Sequence, residues 1–297
     1  MSRYKASMTL KNEQIEKLYE GSIDMHVHVA PDPSWDRRLD TLETAEYAEQ
    51  GGMRAFVAKS FFYPTTTEAL ITTRLMENVT AFGSVTIGYS TTGGLEHAAE
   101  TIENHAKIGC RVVWFPAFDA RYCRQGIGME GGFSILDDAG KLRQEAKDVL
   151  AVIKKYDMVV CKGHMSFPET EALFTEAARM GITKMVTTHP LSDSWGLFTM
   201  DEIKKLADIG AYTELVFGNL MPRLGAIDPS DYVDLVHTLG AERMIMSTDL
   251  AQCMDPTPAE GMRFFIGTML QFGCTEEEVE WMAKKNPAML LGLEEAK

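Results

Sequence analysis

Residues 21–34 read GSIDMHVHVAPDPS, an apolar run that carries two histidines one residue apart. Successive side chains on a strand point to opposite faces, so His26 and His28 face the same way, about 6–7 Å apart along the chain. The apolar residues around them are expected of a strand covered on both faces, the usual state of a parallel strand. One histidine there reads as a core residue with a hydrogen-bond partner. Two on one face raise the question of a metal.

Seven further runs have the same apolar, β-branched or aromatic character: MRAFVAKS (53–60), TAFGSVTIG (80–88), CRVVWFPAF (110–118), MVVCKGHMS (158–166), TKMVTTHP (183–190), AYTELVFG (211–218) and MIMSTDL (244–250). Amphipathic stretches separate them and carry helix-start chemistry. Ser166 with Glu169, Thr199 with Glu202 and Thr275 with Glu278 have capping-box spacing, and Asp228-Pro229 reads as an N-cap followed by proline at the first helical position. Glycines stand before several strands, as in EQGGMRAF and ADIGAYTE, where helices stop. Eight strands, each followed by a helical segment, predict an α/β fold, a (β/α)8 TIM barrel, with a doubly wound open sheet as the alternative. No G-x-G-x-x-G or P-loop follows any strand, which weakens nucleotide-binding versions of the open sheet. Without repeat, linker or low-complexity tract, residues 1–297 read as a single domain. The irregular stretch at 119–142 reads as a lid-like insertion after strand 4, with ILDDAGKL forming a small hairpin.

The chain has 297 residues, 43 acidic and 29 basic, for a net charge of −14. That balance, without a basic cluster, argues against nucleic acid and anionic membranes as partners. No run approaches the length of a membrane helix, and the first residues lack the apolar core of a secretory signal. Five scattered cysteines form no C-x-x-C pair, which suits a reducing cytoplasm. The 19 methionines read as core, with a homo-oligomer interface as the alternative.

Three more candidate ligands end strands: His164 on strand 5, His189 on strand 6 and Asp249 on strand 8. Strand C-termini are where barrels place their chemistry. His97, His105 and His237 lie on expected helices and read as surface or packing residues. The set His26, His28, His164, His189 and Asp249 in this strand context resembles the amidohydrolase superfamily of metal-dependent hydrolases, and NPAMLLGL (286–293) looks like the closing helix of many members. The resemblance implies one or two divalent ions, zinc first with manganese or iron as alternatives, held by those five residues. It implies that Asp249 takes a proton from the attacking water, and that His189 completes a second metal site or hydrogen-bonds the developing oxyanion. The implied reaction is hydrolysis of an amide C–N bond in a small-molecule substrate, expected to be a cyclic amide. Lactone or phosphoester hydrolysis, deamination and decarboxylation are the alternatives.

Strand 4 departs from the binuclear pattern, because VVWFPAFD offers neither the lysine nor the glutamate that bridges two metals in such members. Lys59, at the end of strand 2, and Lys162, on the face of His164, are the candidates to compensate. A lysine inside an apolar barrel must be paired, neutral or modified, unless its head snorkels to the surface. Lys59 is expected to bind a substrate carboxylate or oxyanion, or to bridge metals as a carbamate, and Lys162 to share such a role. Arg37, Tyr63, Trp114, Arg121 and Trp195 follow or flank the strands at the same end and are candidates for substrate contact. Glu214, inside strand 7, requires a buried partner.

Overall fold

The computed structural model describes residues 10–192, 197–222 and 227–293. Every expected strand is present: β1 (Ile23–His28), β2 (Ala55–Lys59), β3 (Thr80–Phe82), β4 (Ser84–Thr86), β5 (Val112–Trp114), β6 (Val159–Cys161), β7 (Met185–Thr187), β8 (Tyr212–Val216) and β9 (Met244–Ser247). Nine appear in place of eight because Gly83 divides the third. A Cβ at Gly83 would sit 2.2 Å from Thr66 Cα and 2.8 Å from Thr66 N, so only glycine admits the backbone that passes there. Across that crossing, Thr65 N donates to Ser84 O at 3.0 Å and Ser84 N donates to Thr65 Oγ1 at 2.9 Å.

The chain forms two compact units, one drawn from Met1–Ala58, Glu68–Ala81 and Glu214–Lys297, the other from Lys59–Thr67 and Phe82–Thr213. In the first, β1, β2 and β3 are neighbours in that order. β1 also bonds the chain leaving β9: Asp249 N donates to His26 O at 2.9 Å, and Val27 and Leu250 form a parallel bridge. In the second unit, strands β4 to β7 and the start of β8 run parallel, with Val85 opposite Val113, Val113 opposite Val160, and Val186 opposite Tyr212. Every residue of β1, β2, β5, β6, β7 and β9 is buried, as the apolar runs require.

The expected helix starts are in place. Capping boxes close at Ser166, Thr199 and Thr275, and Asp228 caps a helix with Pro229 in its first turn. The stretch at 119–142 folds on itself. A short helix, Arg121–Gly126, is tied down by Arg124 Nη2 on Asp119 Oδ1 at 2.8 Å, and the hairpin forms with Asp137 N donating to Lys141 O at 2.8 Å. Among the described residues, no helix is long and apolar enough to cross a membrane.

Strand ends fall short of the sequence expectation. β6 stops at Cys161, β7 at Thr187 and β9 at Ser247, so His164, His189 and Asp249 stand two or three residues past regular pairing. Both His189 and Asp249 have positive φ, 29° and 51°, where the chain turns away from the sheet. Such backbone is sparsely populated for a residue with a Cβ.

Replacing Gly83 with alanine forces a Cβ against backbone rather than a flexible side chain. The Gly83→Ala protein is expected to lose about 1–3 kcal/mol or more in urea unfolding. An unchanged midpoint would contradict the close crossing at Thr66.

Candidate metal centre

β1 carries Asp24, His26 and His28 on one face, and each is at most 6% exposed. Burial on this scale demands a partner for every polar atom. Asp24 meets it through the turn after β9: Thr248 N donates to Oδ1 at 3.0 Å, Thr248 Oγ1 donates to Oδ2 at 2.5 Å, and His26 N donates to Oδ1 at 3.1 Å. Desolvation pushes the Asp24 carboxyl up to about 7, against the pull of those three bonds.

His26 lies between two carboxylates. Its Nδ1 is 3.1 Å from Glu214 Oε2, and its Nε2 is 3.1 Å from Asp249 Oδ1. Asp249 Oδ1 is also 3.3 Å from His28 Nε2, and the two imidazole rings are 5.3 Å apart, centre to centre. A neutral imidazole has one N–H and one lone pair. If Nδ1–H donates to Glu214, the Nε2 lone pair faces the Asp249 oxygen, and two acceptors oppose each other. A second ring proton, a proton on the Asp249 carboxyl or a cation resolves that contact. Ligand atoms of His26, His28 and Asp249 all lie within 4.8 Å of one another, close enough to hold one ion. Two imidazole nitrogens and a carboxylate form a donor set for zinc or manganese, and a carboxylate behind a ligating histidine is the usual support for one.

The second unit gathers the other expected residues. The His164 and His189 rings are tilted by 47° with centres 5.2 Å apart, and Phe61 packs edge-on against His164 at 5.7 Å. His164 Nδ1 lies 3.8 Å from Cys123 Sγ. His164 can approach this way because Gly163 precedes it: a Cβ there would fall 2.0 Å from Pro116 O. Burial pushes the Cys123 thiol up to about 11. Lys59 is 1% and Lys162 0% exposed, so neither head reaches the surface. Lys59 Nζ sits 4.7 Å from the Trp114 ring centre and 5.0 Å from that of Phe61. Lys162 Nζ is 4.6 Å from the Phe198 ring centre and donates to Gly163 O at 3.2 Å. A cation over an aromatic face keeps part of the stabilisation that water would give it.

Of the remaining candidates, Trp114 is buried in β5, Tyr63 is half-buried, and Arg121 is exposed at the first turn of its helix. Arg37 is held within its own loop, with Nε and Nη2 both 2.9 Å from Asp32 Oδ2. Trp195 lies outside the described residues. Sequence reasoning missed Asp24, although D-x-H-x-H places it on the histidine face by the same two-residue period. It also missed Cys123, which no spacing connects to His164.

The profile of the family described as "Family of unknown function (DUF6282)" matches residues 21–214. The chain belongs to that family. The DUF6282 match spans His26, His28, His164, His189, both buried lysines and Glu214, and ends before Asp249. No curated protein matches the chain in sequence. Among solved structures, an amidohydrolase from Pseudomonas aeruginosa aligns over 95% of this chain and 98% of its own, at 12% identity and a TM-score of 0.67. The probable dipeptidase PvdM from the same organism aligns over 95% and 97%, at 11% identity and a TM-score of 0.64. A double mutant of organophosphorus hydrolase from Deinococcus radiodurans aligns over 98% of each chain, at 13% identity and a TM-score of 0.63. This likeness shows the fold, the parallel α/β barrel shared with amidohydrolase structures, as the eight runs predict.

Glu214→Gln keeps the shape behind His26 but replaces a carboxylate with an amide. It is expected to weaken divalent-metal binding about 10- to 100-fold, measured by competition with a chelating dye. Unchanged affinity would remove Glu214 from the support of His26.

Proposed function

We propose that this DUF6282 member is a metal-dependent hydrolase that cleaves an amide C–N bond, in a cyclic small molecule bearing an anionic group. The observation that carries the reading is His26, set between Glu214 Oε2 and Asp249 Oδ1 at 3.1 Å each, with His28 Nε2 at the same Asp249 oxygen. Full-length likeness to an amidohydrolase fold supports it.

In this reading His26, His28 and Asp249 would hold the ion. His164 and His189 are further ligands, or His189 donates to the oxyanion that develops on the substrate carbonyl. When bound, a zinc, manganese or iron ion supplies Lewis acidity that polarises a carbonyl and acidifies a water. Asp249 accepts the proton of the attacking water on its carboxylate and returns it to the leaving nitrogen. Glu214 fixes the tautomer and orientation of His26. Lys59 and Lys162 present ammonium groups from buried, aromatic-lined positions, which suits a substrate carboxylate. Trp114, Tyr63 and Arg121 complete the substrate contacts, and Arg37 acts by bracing the β1 loop through Asp32. The reading includes a cytoplasmic location, supported by Cys110, Cys123, Cys161, Cys253 and Cys274, none of which is in a disulfide.

Dialysis against a chelator is expected to abolish turnover of a lactam or imide, and Zn2+ or Mn2+ to restore it. Full activity after metal removal would overturn the reading. Asp249→Asn is expected to keep metal while kcat falls about 10²- to 10⁴-fold, the usual contribution of a general base. Wild-type turnover in that variant would remove its proton-transfer role. A substrate panel that also holds lactones, phosphoesters, aminopurines and carboxylic acids separates the amide reading from its alternatives.

A further inference from the structure

We propose that Thr187 is a specificity-determining residue: its hydroxyl, beside the Lys162 ammonium, binds a carboxylate of the substrate and selects it over the neutral carboxamide of the same shape. The pairing rests on the carboxylate role proposed for Lys162 and adds the second donor that completes it. Both residues belong to one unit and are buried, Thr187 at 1% and Lys162 at 0% exposed.

Strands β6 and β7 place the two side by side. Cys161 stands opposite Val186, and Lys162 N donates to Val186 O at 3.0 Å, so the ladder carries Lys162 to the level of Thr187. Two residues further along each chain, His164 and His189 bring their ring centres within 5.2 Å. Side chains two apart on extended chain share a face. Lys162 and Thr187 therefore lie on the histidine side of their strands, one pleat deeper.

A buried hydroxyl calls for a partner, and Thr187 Oγ1 has none among the described residues. Thr213 stands opposite it on β8 and makes no bond to it. Thr188 Oγ1 and Ser192 Oγ, from residues 1% and 2% exposed, are in the same state. Orphaned hydroxyls gathered at the exit of β7 mark a polar wall rather than core packing. An unsatisfied buried hydroxyl costs stability, and valine would give β7 the same branched shape without it.

A carboxylate matches the two donors. One oxygen accepts from the Thr187 hydroxyl, and the other meets Lys162 Nζ, which is held 4.6 Å from the Phe198 ring centre and 3.2 Å from Gly163 O. A carboxamide turns an N–H towards a group that only donates, so Lys162 disfavours it. The competing role for Thr187 is a strand residue whose hydroxyl meets only water.

Equilibrium titration of the full chain separates the two. The probes are lactam carboxylates of five- and six-membered rings, each paired with its carboxamide. The wild type is expected to bind the carboxylate about 100-fold more tightly. Thr187→Val should cut that ratio about 10-fold, the worth of one hydrogen bond to a charged group, and Thr187→Ser, which keeps the hydroxyl, should retain it. Because the hydroxyl has no protein partner, Thr187→Val should unfold in urea at the wild-type midpoint or above it. A lower midpoint would assign the hydroxyl to the fold and overturn the proposal. So would an unchanged ratio in Thr187→Val, or a wild type that binds neither carboxylate or binds both forms alike. Should Thr187→Val not fold, Thr187→Ala is held to the same ratio. Binding is read apart from turnover, so activity that survives chelation would sink the metal-dependent reading and leave the carboxylate preference standing.

Discussion

An imidazole held between two carboxylates is the constraint on which this structure turns. His26 is fully buried, and its two ring nitrogens face Glu214 and Asp249 at the same 3.1 Å. One ring proton cannot satisfy both contacts, a second leaves a charged ring in the core, and a proton on Asp249 costs that carboxylate its charge. A divalent cation would satisfy the Asp249 side while Glu214 kept its hydrogen bond. His28, which reaches the same Asp249 oxygen, turns the contact into a chelating set.

Hydrogen bonds between β1 and the turn after β9 hold those atoms in place. Asp24 ties β1 to Thr248 by two hydrogen bonds, and Asp249 N adds a third link to His26 O. The φ of 51° at Asp249 is a local backbone cost, of order 1–3 kcal/mol, that these bonds offset. In the second unit the same economy of placement recurs with other chemistry. Gly163 lets His164 come close to the β5 exit, and aromatic faces receive Lys59 and Lys162, two cations that apolar walls alone would not tolerate.

Much of this was legible in the residues. Fully apolar runs at regular spacing identify parallel strands, and His26-x-His28 reveals one face of β1 because the strand period is two. Capping residues at Ser166, Thr199 and Thr275 locate three helices by local chemistry alone. What escaped is set by contacts between distant segments. Glu214 could be recognised as needing a partner, but only folding brings it to His26, 188 residues away in the chain. The split at Gly83 depends on how closely Thr66 passes. Cys123 sits in an irregular insertion with no period to read, and its direction is decided by Arg124, Asp119 and Phe133.

The central claim is that His26, His28 and Asp249 hold one divalent cation. Anomalous diffraction from crystals grown with Zn2+, recorded on both sides of the zinc edge, tests it most directly. The account predicts a peak in contact with Nε2 of His26, Nε2 of His28 and Oδ1 of Asp249. Zinc-loaded crystals with no anomalous density among those three atoms would contradict it.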